Sequence, residues 1–359
     1  SRGLGDVYKR QAASIAMPEH VQYLPRVQKI LLPELSRQFF ADGCHIERSP
    51  AAHLLALQDL TEIRALMQAG GKTPPTELVT AIEHAAAALR ALRHGDGGLP
   101  LFNGSQEELA TLVDLVLAQA GRARGTLAHL KACGLFRLAA GKAVLFMDAG
   151  VPTAPGLDRF AHAGTLGFEY SFGKDRLIVN CGAAPALASD WAGVLRGTAA
   201  HSTLIIADTS SAEIKESGLG RRPLNVNVHR QEAGGVGWIE ANHDGWSKPF
   251  GAIHHRRLGL SETGEELQGE DLIEAETPQP FAIRFHLHPN VTASLVQDDE
   301  TVLLRTPSGR GFRLKAEGAA PKIEESVYFG QAEPRRAEQI VLPGHQDGPQ
   351  HVKWTITKA

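Results

Sequence analysis

Four clusters of polar residues in this 359-residue chain have types and spacings that could do chemistry. In DGCHIERSPAAH, residues 42–53, Glu47 and Arg48 stand just before a helix start at Ser49-Pro50, and His53 falls on that helix's first turn. Loop ends that feed helix N-termini often carry substrate groups. A guanidinium there could clamp a carboxylate through two parallel hydrogen bonds. A capping and salt-bridge cluster that merely fixes the loop uses the same residue types. In FNGSQE, residues 102–107, Asn103-Gly104 marks a turn and Ser105 an N-cap. The Asn103 amide could hold an anionic group beside a helix N-terminus, or serve the turn alone.

The third cluster spreads over residues 159–182 and 196–204. His162, Asn180 and His201 offer two imidazoles and one oxygen, a set that could take a divalent ion. Asn is the poorer zinc ligand because it carries no charge, and hydrogen-bonded structural histidines are the competing reading. The fourth is His286 with His288, two residues apart and therefore on one face of a strand. Arg284 shares that face, which discourages a cation and favours a polar outer surface. His254-His255 would point alternately in and out of a strand. The chain has no Gly-rich phosphate loop after a strand and no GxSxG nucleophile elbow.

The elements that must carry these clusters change character near Cys133. Before it, apolar residues recur at helical spacing. Val21, Leu24, Val27, Leu31 and Leu35 mark one helix, and Leu54, Leu57, Leu60 and Ile63 a second that stops at Gly70-Gly71. Leu78, Ile82, Leu89 and Leu92 mark a third ending at Gly95. A fourth is expected to start at Ser105, with Glu108 completing a capping box, and to end near Gly121. After Cys133 the period is two. AVLFMDAG at 143–150, RLIVNCG at 176–182 and STLIIAD at 202–208 read as buried strands, and FAIRFHLH at 281–288 alternates cleanly. About a dozen or more strands without intervening helices predict an antiparallel sandwich, because parallel sheets need helical crossovers. The expected organisation is an α+β chain: a non-native or disordered segment at 1–14, a helical domain at 15–132, and a large antiparallel β-sandwich at 133–359.

Bulk properties narrow the function classes. A net charge of −3 and a pI near 6.6 leave no basic footprint for a nucleic-acid partner. No apolar run reaches the length of a membrane span. Cys44, Cys133 and Cys181 are odd in number and far apart in sequence, so no disulfide framework is expected.

Five stretches together resemble the heparinase II/III family of polysaccharide lyases: DGCHIERSP, LPLFNGSQE, AHAGTLGFEYSFGKDRLIVNCG, RGTAAHSTL and SVYFG. The resemblance runs from about residue 15 to the end and is closest to an uncharacterised alphaproteobacterial branch. It implies part of an α/α toroid followed by a β-sandwich. A toroid needs more helices than four, so a longer natural protein is expected. It implies β-elimination on a uronate-containing glycan, a glycosaminoglycan or alginate, and a periplasmic or cell-envelope location, with no signal peptide to fix it. His53 and His162 become the acid/base candidates, with Arg48 and Asn103 on the substrate carboxylate. One divalent metal, zinc or calcium, would sit on His162, Asn180 and His201. The family's tyrosine falls at Ala52, its first sandwich histidine at Phe160, and its metal aspartate at Asn180. A glycan-binding protein that kept the groove and lost the acid/base pair is the alternative.

Overall fold

The computed structural model describes residues 24–121, 127, 129–184, 189–296, 300–331, 333–345 and 350–359. The expectation for residues 1–14 lies outside these, as does Val21. The helical part comprises α1 (Leu24–Gln38), α2 (Pro50–Ala69), α3 (Thr76–Ala91) and α4 (Ala110–Ala120). Proline at the first position and the Ser49 hydroxyl, which accepts from Ala52 N, start α2. Its Leu54, Leu57, Leu60 and Ile63 are all buried against Leu78, Ile82 and Leu89 of α3 and Val113 and Val116 of α4. Each such side chain contributes about 1.5–3 kcal/mol by leaving water.

The fourth helix corrects the capping-box expectation. It begins at Ala110, five residues after Ser105, and has no side-chain cap. Ser105 instead reaches back to the start of α2, where its hydroxyl accepts from Ala51 N at 3.0 Å and pairs with Ser49 Oγ at 3.0 Å. One turn therefore caps a helix more than fifty residues earlier in the chain.

From Leu135 onward two eight-stranded sheets form, and every ladder in them is antiparallel. The first is ordered β1 (Leu135–Ala140), β2 (Ala143–Asp148), β3 (Phe168–Phe172), β4 (Asp175–Val179), β12 (Phe281–Leu287), β17 (Arg335–Gly344) and β16 (Lys322–Tyr328), with β5 (Leu204–Ile206) also on β12. The second is ordered β13 (Thr292–Val296), β14 (Thr301–Arg305), β15 (Gly311–Glu317), β18 (His351–Lys358), β11 (Glu266–Ala275), β10 (Ala252–Ser261), β9 (Val236–Trp246) and β8 (Val226–Ala233). A small separate hairpin joins β6 (Ile214–Lys215) to β7 (Gly218–Leu219). Among the described residues only short helices interrupt the strands, at Ser189–Val194, Thr198–Ala200 and Ser247–Phe250.

The first sheet is the middle layer of three. Along β2, Leu145 and Met147 join the core between the sheets, while Val144 and Phe146 join the helical core. That explains why AVLFMD is apolar without alternating: both faces are covered. On β12, Phe281, Ile283, Phe285 and Leu287 fill the inter-sheet core, where Phe285 meets Trp354 edge-on at 4.8 Å. The other face of β12 is not the open polar surface expected from Arg284, His286 and His288. His286 is 3% exposed, with Nε2 against the carbonyl of Ala199, and His288 Nε2 lies 3.2 Å from Glu107 of the helical part. Packed loops cover that face.

Candidate functional site

Arg48, Asn103 and His162 come together where the helical part meets the first sheet. Arg48 and Asn103 both hold left-handed backbone, at φ +55° and +48°, a conformation that L-residues avoid without external support. The support is Asp148, the residue that closes β2. The Arg48 guanidinium pairs with one oxygen of Asp148 and donates through Nε to Cys133 O at 2.6 Å. Gly150 makes room, since a Cβ there would meet the guanidinium. Asn103 Nδ2 donates to the other Asp148 oxygen at 3.2 Å and to Arg48 O at 3.1 Å, while its Oδ1 accepts from His162 N. Arg48 and Asp148 are both 4% exposed. A pair this enclosed is a protein crosslink: Arg48 and Asn103 have their hydrogen-bonding groups turned inward.

His53 corrects the acid/base expectation. It is fully buried inside the helical part. Nδ1 accepts from His45 N at 3.1 Å, which fixes the tautomer so that Nε2 donates to Ala85 O at 2.8 Å. Burial pushes it down to about 4. No ring atom remains for a substrate.

His162 and His201 are neighbours, and their contact is a direct hydrogen bond. His201 Nδ1 donates to Gly197 O at 2.8 Å, so its Nε2 is the acceptor for His162 Nδ1 at 3.0 Å. That leaves the lone pair of His162 on Nε2. Burial drives both imidazoles to the neutral form, His201 to about 4 and His162 well below its ordinary value. Gly164 permits the arrangement, because a Cβ there would lie 2.5 Å from the His201 ring.

These residues do not fit the metal set. A zinc would take the place of the proton the two imidazoles share, and Asn180 faces elsewhere. Its Nδ2 donates to Glu169 Oε1 at 3.0 Å and its Oδ1 accepts from Ser202 N at 3.0 Å. No group of three or more His, Cys, Asp or Glu among the described residues is placed to hold an ion. Added zinc or calcium is expected to leave the Tm of the parent protein unchanged. Asn180→Asp is expected to lower stability by about 1–3 kcal/mol, because it sets a second carboxylate against Glu169. Thermal unfolding with and without metal checks both, and a metal-dependent rise in the parent would reinstate the ion.

Sequence reasoning passed over the acids that organise this interface. Glu169 is fully buried on β3, where it accepts from His94 Nε2 at 2.9 Å, Leu101 N at 2.9 Å and Asn180 N at 3.1 Å. Arg176 on β4 crosses to Asp96 and Leu99 O. The available signal was a charge inside or at the end of an otherwise apolar strand, as in AVLFMD and GFEYSF.

The open feature beside this network is a cleft of about 620 Å³ between α1 with the loop after it and the sandwich loop at 156–160. Arg37 and Arg159 line it with Glu34 and Glu47, and Leu157 and Phe160 supply its apolar surface. Phe160 is 61% exposed, under the Arg159 guanidinium at 5.6 Å. In its wall, His45 Nε2 and Gln38 Oε1 are buried without a partner among the described residues.

Comparison with known proteins agrees with this architecture. Residues 13–121 match the heparinase II/III N-terminus and residues 122–355 the heparinase II/III-like C-terminal model. FtsZ-localized protein C of Caulobacter vibrioides is 33% identical over 354 residues, covering 92% of this chain and 61% of that protein. The heparan sulfate lyase HepC of Pedobacter heparinus superposes with a TM-score of 0.77 at 15% identity, over 99% of this chain and 59% of that one. A heparinase III structure gives 0.78 at 14% identity, with 99% and 59% covered. The chain spans about three fifths of the length of these relatives. No helix among the described residues is long and apolar enough to cross a membrane. With the two family models matched in succession, and a few helices followed by two large antiparallel sheets superposing on the heparinase fold, this chain belongs to the heparinase II/III family.

Proposed function

We propose that this chain binds an acidic polysaccharide in the cleft between its helical part and its sandwich, and that the elimination chemistry of a lyase is dismantled in it. The observation that carries this reading is the commitment of Arg48 and Asn103 to Asp148. Removal of the proton next to a uronate carboxylate builds negative charge, which positive or donor groups must stabilise. Here the two groups best suited to that task face an internal carboxylate. Proton transfer also needs a base and an acid in reach. His53 is enclosed, and Ala52 and Phe160 carry no exchangeable proton. His162 Nε2 keeps a lone pair that its hydrogen bond with His201 does not use.

Binding has better support. An oligosaccharide offers hydroxyls, apolar ring faces and, in uronates, carboxylates. The cleft answers with Arg159, with Arg37, which also pairs with Glu34 at 2.9 Å, and with the exposed ring of Phe160. Heparan sulfate lyase and heparinase III, whose fold it shares, give the class of glycan to try first.

The test uses the full-length protein with heparin, heparan sulfate, hyaluronan and alginate, by calorimetry for binding and ultraviolet absorbance for unsaturated uronate. Binding is expected without unsaturated product. The double variant Arg37→Ala, Arg159→Ala should weaken it about tenfold, ~1.4 kcal/mol, and salt should weaken it too. Unsaturated product that disappears in His162→Ala would establish a lyase instead. A second reading rests on the Caulobacter relative, named for its localization with FtsZ: the sandwich would serve as a docking module. Co-sedimentation of this protein with FtsZ filaments tests it.

A further inference from the structure

The fold brings together two of the three cysteines that are far apart in sequence. Cys44 lies in the turn between α1 and α2, and Cys133 in the segment that leads into β1. One carboxylate bridges their backbones. Asp42 Oδ1 accepts from Cys44 N at 3.2 Å, and Oδ2 accepts from Cys133 N at 3.0 Å and Ala132 N at 2.7 Å. Both side chains sit in the helical core, Cys44 fully buried and Cys133 2% exposed. The shared carboxylate and the shared core set the two residues side by side, and hydrogen bonding to Cys133, and then burial, push the Cys44 thiol well above its ordinary range. All three cysteines are free thiols here. Cys181 is separate, against His286 Nδ1 at 3.4 Å and Ser326 Oγ at 3.8 Å.

We propose that Cys44 and Cys133 form a dithiol pair that closes to a disulfide, tying the turn before α2 to the base of the first strand. The oxidant is a small-molecule disulfide of the glutathione class. One cysteine thiolate attacks it, forming a mixed disulfide and releasing one thiolate. The second cysteine thiolate then attacks the protein sulfur of that mixed disulfide and releases the other. Two protons leave the protein, one S–S bond forms, and the small disulfide is reduced to two thiols. Thiolates are the reactive species, and burial disfavours them. Closure in the folded chain is therefore slow, and the bond forms during folding or when this turn opens. The link closes a loop of roughly ninety residues, a length at which a crosslink restricts the unfolded chain strongly.

The experiment refolds the reduced, denatured protein in a mixed glutathione buffer, traps thiols by alkylation and maps the peptides. The expected product has one disulfide per chain, a mass lower by about two hydrogens, a peptide joining Cys44 to Cys133, and alkylated Cys181. Its Tm should exceed that of the same protein after reduction, and Cys44→Ala and Cys133→Ala should each lose that difference. Mapping the unmutated protein decides the question even if a variant fails to fold. Three alkylated thiols after oxidative refolding, or a bridge that includes Cys181, would overturn the proposal.

Discussion

Arg48→Ala is expected to lower the free energy of unfolding by about 3–5 kcal/mol, the usual cost of removing one partner from a buried ion pair. The substitution leaves Asp148, 4% exposed, with only the Asn103 amide at 3.2 Å and a long contact to Gly150 N. It also strips Cys133 O of its side-chain donor. Arg48→Lys should recover little, since an ammonium cannot serve both Cys133 O and Asp148 with the geometry of a planar fork. Urea unfolding measures the loss. The exposed pair Arg336–Glu325 is the control, its side chains being 80% and 79% exposed, and Arg336→Ala should change stability within measurement error. A loss at Arg48 as small as at Arg336 would mean that the interface network is not structural, and would reopen Arg48 as a group for substrate.

The second large effect is a fall in stability with acid, beginning well above the range of carboxylates. Burial holds His45, His53 and His201 at about 4 and His286 at about 3. The sign follows from linkage. Each of these folded values lies below the ordinary value of 6.5, so the unfolded chain binds more protons than the folded one once the pH drops below about 6.5. Stability is therefore complete above about pH 6.5 and is lost as the pH falls toward about 4. At about 1.4 kcal/mol per tenfold change in proton affinity, each histidine gives up as much as ~3 kcal/mol across that window. Several together match the whole stability of an ordinary domain, about 5–15 kcal/mol. Urea midpoints compared at neutral pH and at about pH 5 should fall steeply, and His53→Gln should flatten the dependence. Midpoints that stay level over that interval would contradict the burial of these rings.

The local patterns in the sequence led to most of the architecture. Leu54, Leu57, Leu60 and Ile63 announce one face of a helix, and the alternation Phe281, Ile283, Phe285, Leu287 announces one face of a strand; all eight are buried where the pattern puts them. Such signals work because partners lie within a turn or two of each other. The candidate site was legible only as a set of residue types. Whether Arg48 meets a substrate carboxylate or an internal one depends on Asp148, a hundred residues away. Ser105 has the spacing of a cap for its own helix and caps another. Asn180 faces Glu169 rather than the two imidazoles. In each case the deciding partner comes from a different element, and nothing in the local spacing encodes which one arrives.

The contact between Glu107 and Tyr328 has a consequence for how the chain is made. These residues are 221 positions apart, and the Tyr328 hydroxyl closes a polar seam that also includes His288 and Gly330. Partners so distant cannot meet until the residues between them have been synthesised, and contacts of long sequence separation form slowly. The helical part is translated first, with the face that carries Glu107 and Asp96 still waiting for its sheet. During that interval the nascent helices present an unfinished surface to the ribosome exit and to whatever chaperone meets them there.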